Sequence, residues 1–159
     1  MSSAANPLLA PSNGSESMND PRFSSCLLAA AKCKGFDWVV LHNGMGFRCG
    51  YVRLLPGHPW HGKHYDKIDA KVHGGLTYAA SDDEGSWWVG FDCGHYGDAR
   101  DLGLPMPAGI KKILPLTPLD GQVIRTQEYV EQQCRLLCEQ AAMAVTISSS
   151  SRNLSPAPE

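Results

Sequence analysis

Two stretches, Lys71-Val-His-Gly-Gly-Leu-Thr-Tyr-Ala-Ala80 and Ser86-Trp-Trp-Val-Gly-Phe-Asp-Cys93, decide how this chain is read. Side chains alternate across a strand, and both stretches carry large apolar residues at every second position. Ser81-Asp82-Asp83-Glu84-Gly85 between them is polar turn material, so the pair predicts an antiparallel hairpin over about 71–80 and 86–94. On one face Val72, Leu76 and Tyr78 meet Trp87, Val89, Phe91 and Cys93 as core. Partners must share a face. The register that satisfies this sets Val72 by Cys93, Leu76 by Val89 and Tyr78 by Trp87. On the other face it sets His73 by Asp92, Gly75 by Gly90 and Thr77 by Trp88; a slip of two residues would keep the faces but put His73 opposite Gly94.

That second face is the expected site. Gly75 and Gly90, with Gly74 beside them, would leave a shallow floor where a ligand approaches the backbone. Trp88 would wall one side and offer a flat surface for stacking. An aspartate accepting from an imidazole fixes its tautomer, which suits a general base or a metal ligand. Gly94-His95-Tyr96-Gly97-Asp98 follows, so His73, Asp92, His95 and Asp98 are the catalytic candidates and are expected to converge. The bland alternative is a satisfied polar contact beside a bulge. Density favours a site: all six histidines fall between 42 and 95, and fourteen of sixteen glycines between 44 and 121.

Outward from the hairpin, Phe36 to His42 and Phe47 to Leu55 read as strands separated by the turn signal Asn43-Gly44. Upstream, Asp20 as cap, Pro21 in the first turn and Phe23, Leu27 and Ala30 or Ala31 on one side predict a short helix ending at Gly35. Downstream, residues 97–121 hold four prolines, Pro105, Pro107, Pro115 and Pro118, and form a long wrapping loop. A closing helix is expected over 127–144, capped by Thr126, with Val130, Cys134, Leu137, Cys138, Ala141 and Val145 as its apolar stripe. The expected fold is α+β: a small antiparallel sheet covered on one face by helices, its other face free for a ligand. One domain over 20–146 would lie between disordered tails at 1–19 and 147–159.

At 159 residues with 43% hydrophobic content, the chain is large enough for one core. Fourteen basic against sixteen acidic residues leave a formal charge of −2, which excludes a polybasic coat and makes nucleic acid an improbable partner. The longest apolar run, Cys26 to Ala31, is far short of the ~18 residues of a membrane span. No export signal is recognised. Six cysteines without a C-x-x-C spacing, four of them in stretches read as helix, point to reduced thiols and a cytoplasmic location.

Between the second strand and the hairpin, His58, His61 and His64 recur every third residue beside Trp60, Tyr65 and Asp66. Pro59 and Gly62 oppose a helix that would align these imidazoles. Lys63 and Tyr65 of this loop are candidate ligand contacts. Arg48, Arg53, Lys63, Lys67 and Lys71 could line an anion pocket, though a solvated face is the simpler reading. A bound divalent metal such as zinc would need His73 and His95 with Asp92 or Asp98, although no spacing motif compels it. No phosphate loop, dinucleotide fingerprint or nucleophile elbow is present, and Cys93 belongs by parity with the buried set.

The string Cys49-Gly50-Tyr51-Val52, Pro56-Gly57-His58-Pro59, Gly62-Lys63, Tyr65-Asp66, Val72-His73-Gly74-Gly75-Leu76-Thr77-Tyr78, Trp87 through His95 and Gly97-Asp98, then Arg125 and Tyr129-Val130, resembles a group of small uncharacterised proteins of tailed bacteriophages and prophages. The resemblance covers roughly 46–140. It implies action in a bacterial host cytoplasm and carries no established reaction.

Three functions are therefore expected, in this order. The first is a phage-type accessory binding module for a small polar or nucleotide-like ligand, or for a host or defence component. The second is a metal-dependent hydrolase. The third is a protein–protein inhibitor anchored by aromatics of the His58–Tyr65 loop.

Overall fold

The computed structural model describes residues 19–153 apart from 116, with the side chains of 152 and 153 also left aside. Five strands, β1 (Leu27–Cys33), β2 (Phe36–His42), β3 (Arg48–Leu54), β4 (Tyr78–Ser81) and β5 (Trp87–Asp92), form one antiparallel sheet in the order β1-β2-β3-β5-β4. Two short strands, β6 (Asp98–Ala99) and β7 (Val123–Ile124), pair in parallel, and the helix α1 (Gln127–Asn153) closes the chain. This is the expected α+β class.

Alternation in β2, β3 and β5 produces two buried faces. Trp38, Val40, Val52, Leu54, Val89 and Phe91 meet Val130, Cys134, Leu137, Cys138 and Ala141 of α1. Each fully buried aliphatic side chain of this kind stabilises the fold by roughly 1.5–3 kcal/mol. Gly50 is required here, because a β-carbon on it would lie 2.5 Å from the Phe91 ring and 2.6 Å from the Cys134 sulfur. The Thr126 hydroxyl accepts from the Tyr129 amide at 3.2 Å and caps α1. The helical stripe is as read up to Ala141; Val145 is exposed, and α1 continues past Ala144 to Asn153.

The opposite face is not free. Val39, Leu41, Cys49, Tyr51 and Trp88 form a second buried cluster, with Cys26 and Tyr78 packed against it. The Arg22 guanidinium lies 5.9 Å over the Trp88 ring, and Asp20 holds Arg22 through both carboxylate oxygens.

Three expectations are corrected. Residues 27–33 are a strand and not a helix: Asp20 does cap a turn, but only the short 3-10 segment Pro21–Phe23. Six register pairs with β2 outweigh the helix propensity of the alanines, and Leu28, Ala29 and Cys33 face the core while Phe23 and Leu27 are exposed. Among the described residues a single α-helix therefore covers the sheet. The second correction concerns the hairpin register, which runs three residues from the expected one: Tyr78 faces Gly90 rather than Trp87. An odd shift exchanges faces, so Tyr78 joins Trp88 on the side away from α1. The expected strand over 71–80 also shortens to 78–81. Gly74 (φ +68°) and Gly75 (φ +80°) both adopt the left-handed conformation, and the Gly75 amide donates to the Val72 carbonyl at 2.9 Å. Two such residues in succession turn the chain off the sheet.

Thirdly, the part of the expected C-terminal tail that is described, 147–153, is helical. The remainder of that tail and nearly all of the N-terminal one, 1–18, lie outside the described residues. All six cysteines are free. Burial pushes the Cys49 and Cys138 thiols up to about 12 and the Cys93 thiol higher still, which keeps them protonated and inert. Among the described residues no helix is long and apolar enough to cross a membrane.

Candidate functional site

The Gly74-Gly75 turn carries His73 off the sheet edge and against the start of α1. There its backbone amide donates to Gln133 Oε1 at 2.9 Å, and both ring nitrogens are engaged. Nε2 lies 2.9 Å from Asp98 Oδ2, and Nδ1 lies 2.8 Å from the Tyr129 hydroxyl. A carboxylate can only accept, so Nε2 carries the proton in the neutral ring and Nδ1 accepts from the phenol.

Asp98 is fixed from three sides. Arg125 Nε donates to Oδ1 at 2.7 Å, and the His95 amide joins His73 on Oδ2 at 3.0 Å. The parallel pairing of β6 with β7 brings these groups together, since Asp98 opens β6 and Arg125 follows β7. Arg48 supports the same corner, donating from Nη1 to the Arg125 carbonyl at 2.9 Å and pairing with Asp101 at 2.9 Å.

The second histidine has its own acid. Asp92 Oδ2 accepts from Thr77 Oγ1 and Oδ1 from the Gly94 amide, while His95 Nε2 stands 3.5 Å from Oδ1. That nitrogen is enclosed and makes no hydrogen bond among the described residues. The backbone of Gly74 lies directly on this ring: a β-carbon there would come 2.1 Å from Nε2. The two imidazole centroids are 5.8 Å apart. Thus His73, Asp92, His95 and Asp98 do converge, but with partners exchanged: His73 meets Asp98 and His95 meets Asp92.

Burial pushes the Asp98 carboxyl upward. The bonds from Arg125, His73 and the His95 amide outweigh it and hold the group below its ordinary 3.8. A folded value below the unfolded one stabilises the protein fully above about pH 4, and this stabilisation is lost as pH falls through the folded value. Urea unfolding across pH 2–6 should therefore show an acid loss of stability that Asp98→Asn shares only in part; identical slopes in the two proteins would contradict the assignment.

The rest of the expected ligand surface is not available. Trp88 is fully buried, with Nε1 donating to Asp82 Oδ2 at 3.0 Å, so it is core and not a stacking wall. The glycine floor is filled, because a β-carbon on Gly90 would meet the Tyr51 ring at 2.4 Å. Gly75 has open space but sits in the turn and not opposite Gly90. Thr77 points its hydroxyl into the site only to hold Asp92.

The His58–Tyr65 loop contributes no common centre. His58 bonds the Ala141 carbonyl, His61 the Gly85 carbonyl and His64 the Asp66 carboxylate. Trp60, expected as an exposed anchor, is buried in the core. Tyr65 stacks on His64, and the Lys63 carbonyl accepts from Trp87 Nε1. Trp87 and Asp92 are the two ends of β5, roughly 17 Å apart at the usual strand rise, so this loop belongs to the other end of the sheet. Arg48 and Arg53 are committed to Asp101 and Asp37, and do not line an anion pocket together.

The expected zinc set also meets a different geometry. His73 has no free ring nitrogen, Asp98 already accepts from three donors, and among the described residues no three His, Cys, Asp or Glu side chains are arranged to hold an ion.

Arg125 and Tyr129 complete the corner and were not recognised as site residues from the chain. Tyr96, beside His95, is almost wholly exposed. The Arg125 guanidinium lies 5.3 Å over the Tyr129 ring. A cavity of about 320 Å³ opens next to β7, lined by Arg100, Asp101, Thr117, Gln122 and Ile124 among others, and does not include the histidines. The one signal available in sequence was Gly74-Gly75 itself, a turn dipeptide inside an apparent strand. Comparison of the chain with protein-family models, curated proteins and solved structures finds no match.

Proposed function

We propose that the protein is a phage-type accessory protein, a small binding module that holds a polar, nucleotide-like ligand by an anionic group at the His95–Arg125–Tyr129 corner. The layering of charge supports this reading. The Asp98 and Asp92 side chains are 2% and 6% exposed, whereas those of Arg125 and His95 are 25% and 37% exposed. The acids lie inside and the Arg125 guanidinium lies further out, so the cation that meets solvent is suited to an acceptor-rich ligand. Tyr129 stands in the first turn of α1, where the helix dipole favours negative charge. Such a module would act in a bacterial host cytoplasm by sequestering a ligand.

A thermal-shift screen with inorganic phosphate, nucleoside mono- to triphosphates and cyclic dinucleotides tests this. At least one should raise the melting temperature, and Arg125→Ala should weaken its binding about 10–100-fold, the worth of one charge-assisted bond. If no anion shifts the transition, the reading fails.

A further inference from the structure

The carboxylate, imidazole and phenol of the corner stand in one line. Asp98 Oδ2, His73 Nε2, His73 Nδ1 and the Tyr129 hydroxyl are joined by bonds of 2.9 and 2.8 Å, contributed by β6, the Gly74-Gly75 turn and α1. The imidazole is largely shielded and locked from both sides, so it has one acceptor nitrogen and that nitrogen holds the phenol proton. A base oriented by a third group against a hydroxyl is the arrangement that activates a nucleophile. We propose that Tyr129 is a nucleophile towards phosphoesters, with His73 as its base, Asp98 as positioning residue and Arg125 holding a non-bridging phosphate oxygen. This rests on the anion reading above and adds a reaction to it.

The step balances without a further reagent. Tyr129 Oη forms a bond to phosphorus as the ester's P–O bond breaks, and the phenol proton passes to His73 Nδ1. The departing alkoxide takes that proton through water. A water molecule then attacks phosphorus, the bond to Oη breaks, and Oη recovers a proton from the attacking water. Arg125, over the ring and bonded through Nε to Asp98, lies where charge develops on both the phenolate and the phosphoryl group.

Diisopropyl fluorophosphate is a suitable probe, because attack expels fluoride and leaves a stable adduct on oxygen. Incubation of the whole protein followed by peptide mass mapping should place a single adduct on Tyr129, absent in Tyr129→Phe. His73→Gln, verified as folded by circular dichroism, should label about 100-fold more slowly, the usual worth of general base assistance. The pH profile adds a readout that a structural role would not move. The rate should depend on pH differently in wild type and in His73→Gln, because only the former has a base beside the phenol.

No adduct at Tyr129, or equal rates and profiles in the two proteins, overturns the proposal. Phosphate that raises the melting temperature of an unlabelled protein would remove the nucleophile and leave the binding reading standing. Labelling that phosphate neither slows nor accompanies with a thermal shift would keep the nucleophile and remove the anion site.

Discussion

Asp98→Ala is expected to lower the unfolding free energy by about 3 kcal/mol. Three donors lose their acceptor at once: Arg125 Nε, the His73 ring and the His95 amide. Breaking a buried ion pair by removing one partner costs about 3–5 kcal/mol when the orphan stays buried. The lower end applies here, because a quarter of the Arg125 side chain already reaches water and can turn outward. His73 cannot turn so easily, being held through its amide by Gln133 and through Nδ1 by Tyr129. Urea unfolding should show a lower midpoint with an unchanged slope, the sign that stability has changed and not the unfolded ensemble. A midpoint within experimental error of wild type would mean that the corner does not hold the fold together.

Trp88→Ala is the larger perturbation, at about 3–5 kcal/mol for a fully buried tryptophan. It would open a hole between Tyr51, Val39 and Leu41 and leave Asp82 with one donor fewer. Asp82 retains the Glu84 and Ser86 amides, so the main loss is packing. The two predictions separate site from core. Trp88→Ala should unfold early yet, below its midpoint, bind any anion as wild type does. Were Trp88 a stacking wall, the result would invert: near-normal stability with lost affinity, measured by calorimetric titration below the unfolding temperature.

The chain's own patterns reach a definite depth. The α1 stripe, the Thr126 cap and the strands β2, β3 and β5 follow from local periodicity, because burying one face of each requires that spacing whatever the partner. The convergence of His73, Asp92, His95 and Asp98 was legible too, since 92, 95 and 98 are close in sequence and 73 sits one hairpin away. The reading failed where two local signals competed. In 27–33 alanines favoured a helix, but a free edge on β2 could be satisfied by a strand. In 71–77 alternation favoured a strand, but Gly74-Gly75 turned the chain. Both errors arise because propensities differ by less than about 1 kcal/mol per residue, while a row of pairings or a packed face contributes several times that.

By itself, then, the amino-acid order determined which segments are apolar on one side, where turns are permitted, and that a histidine- and aspartate-rich corner would form around the end of β5. Only the tertiary structure decided that Trp88 is interior, that His73 belongs to Asp98 and His95 to Asp92, and that Arg125 and Tyr129 join them. The reason is distance along the chain: Asp98 and Arg125 are 27 residues apart and His73 and Tyr129 are 56 apart. Contacts of that span are selected by how whole elements pack, through the β6–β7 pairing and the seating of α1, and no local spacing rule encodes them.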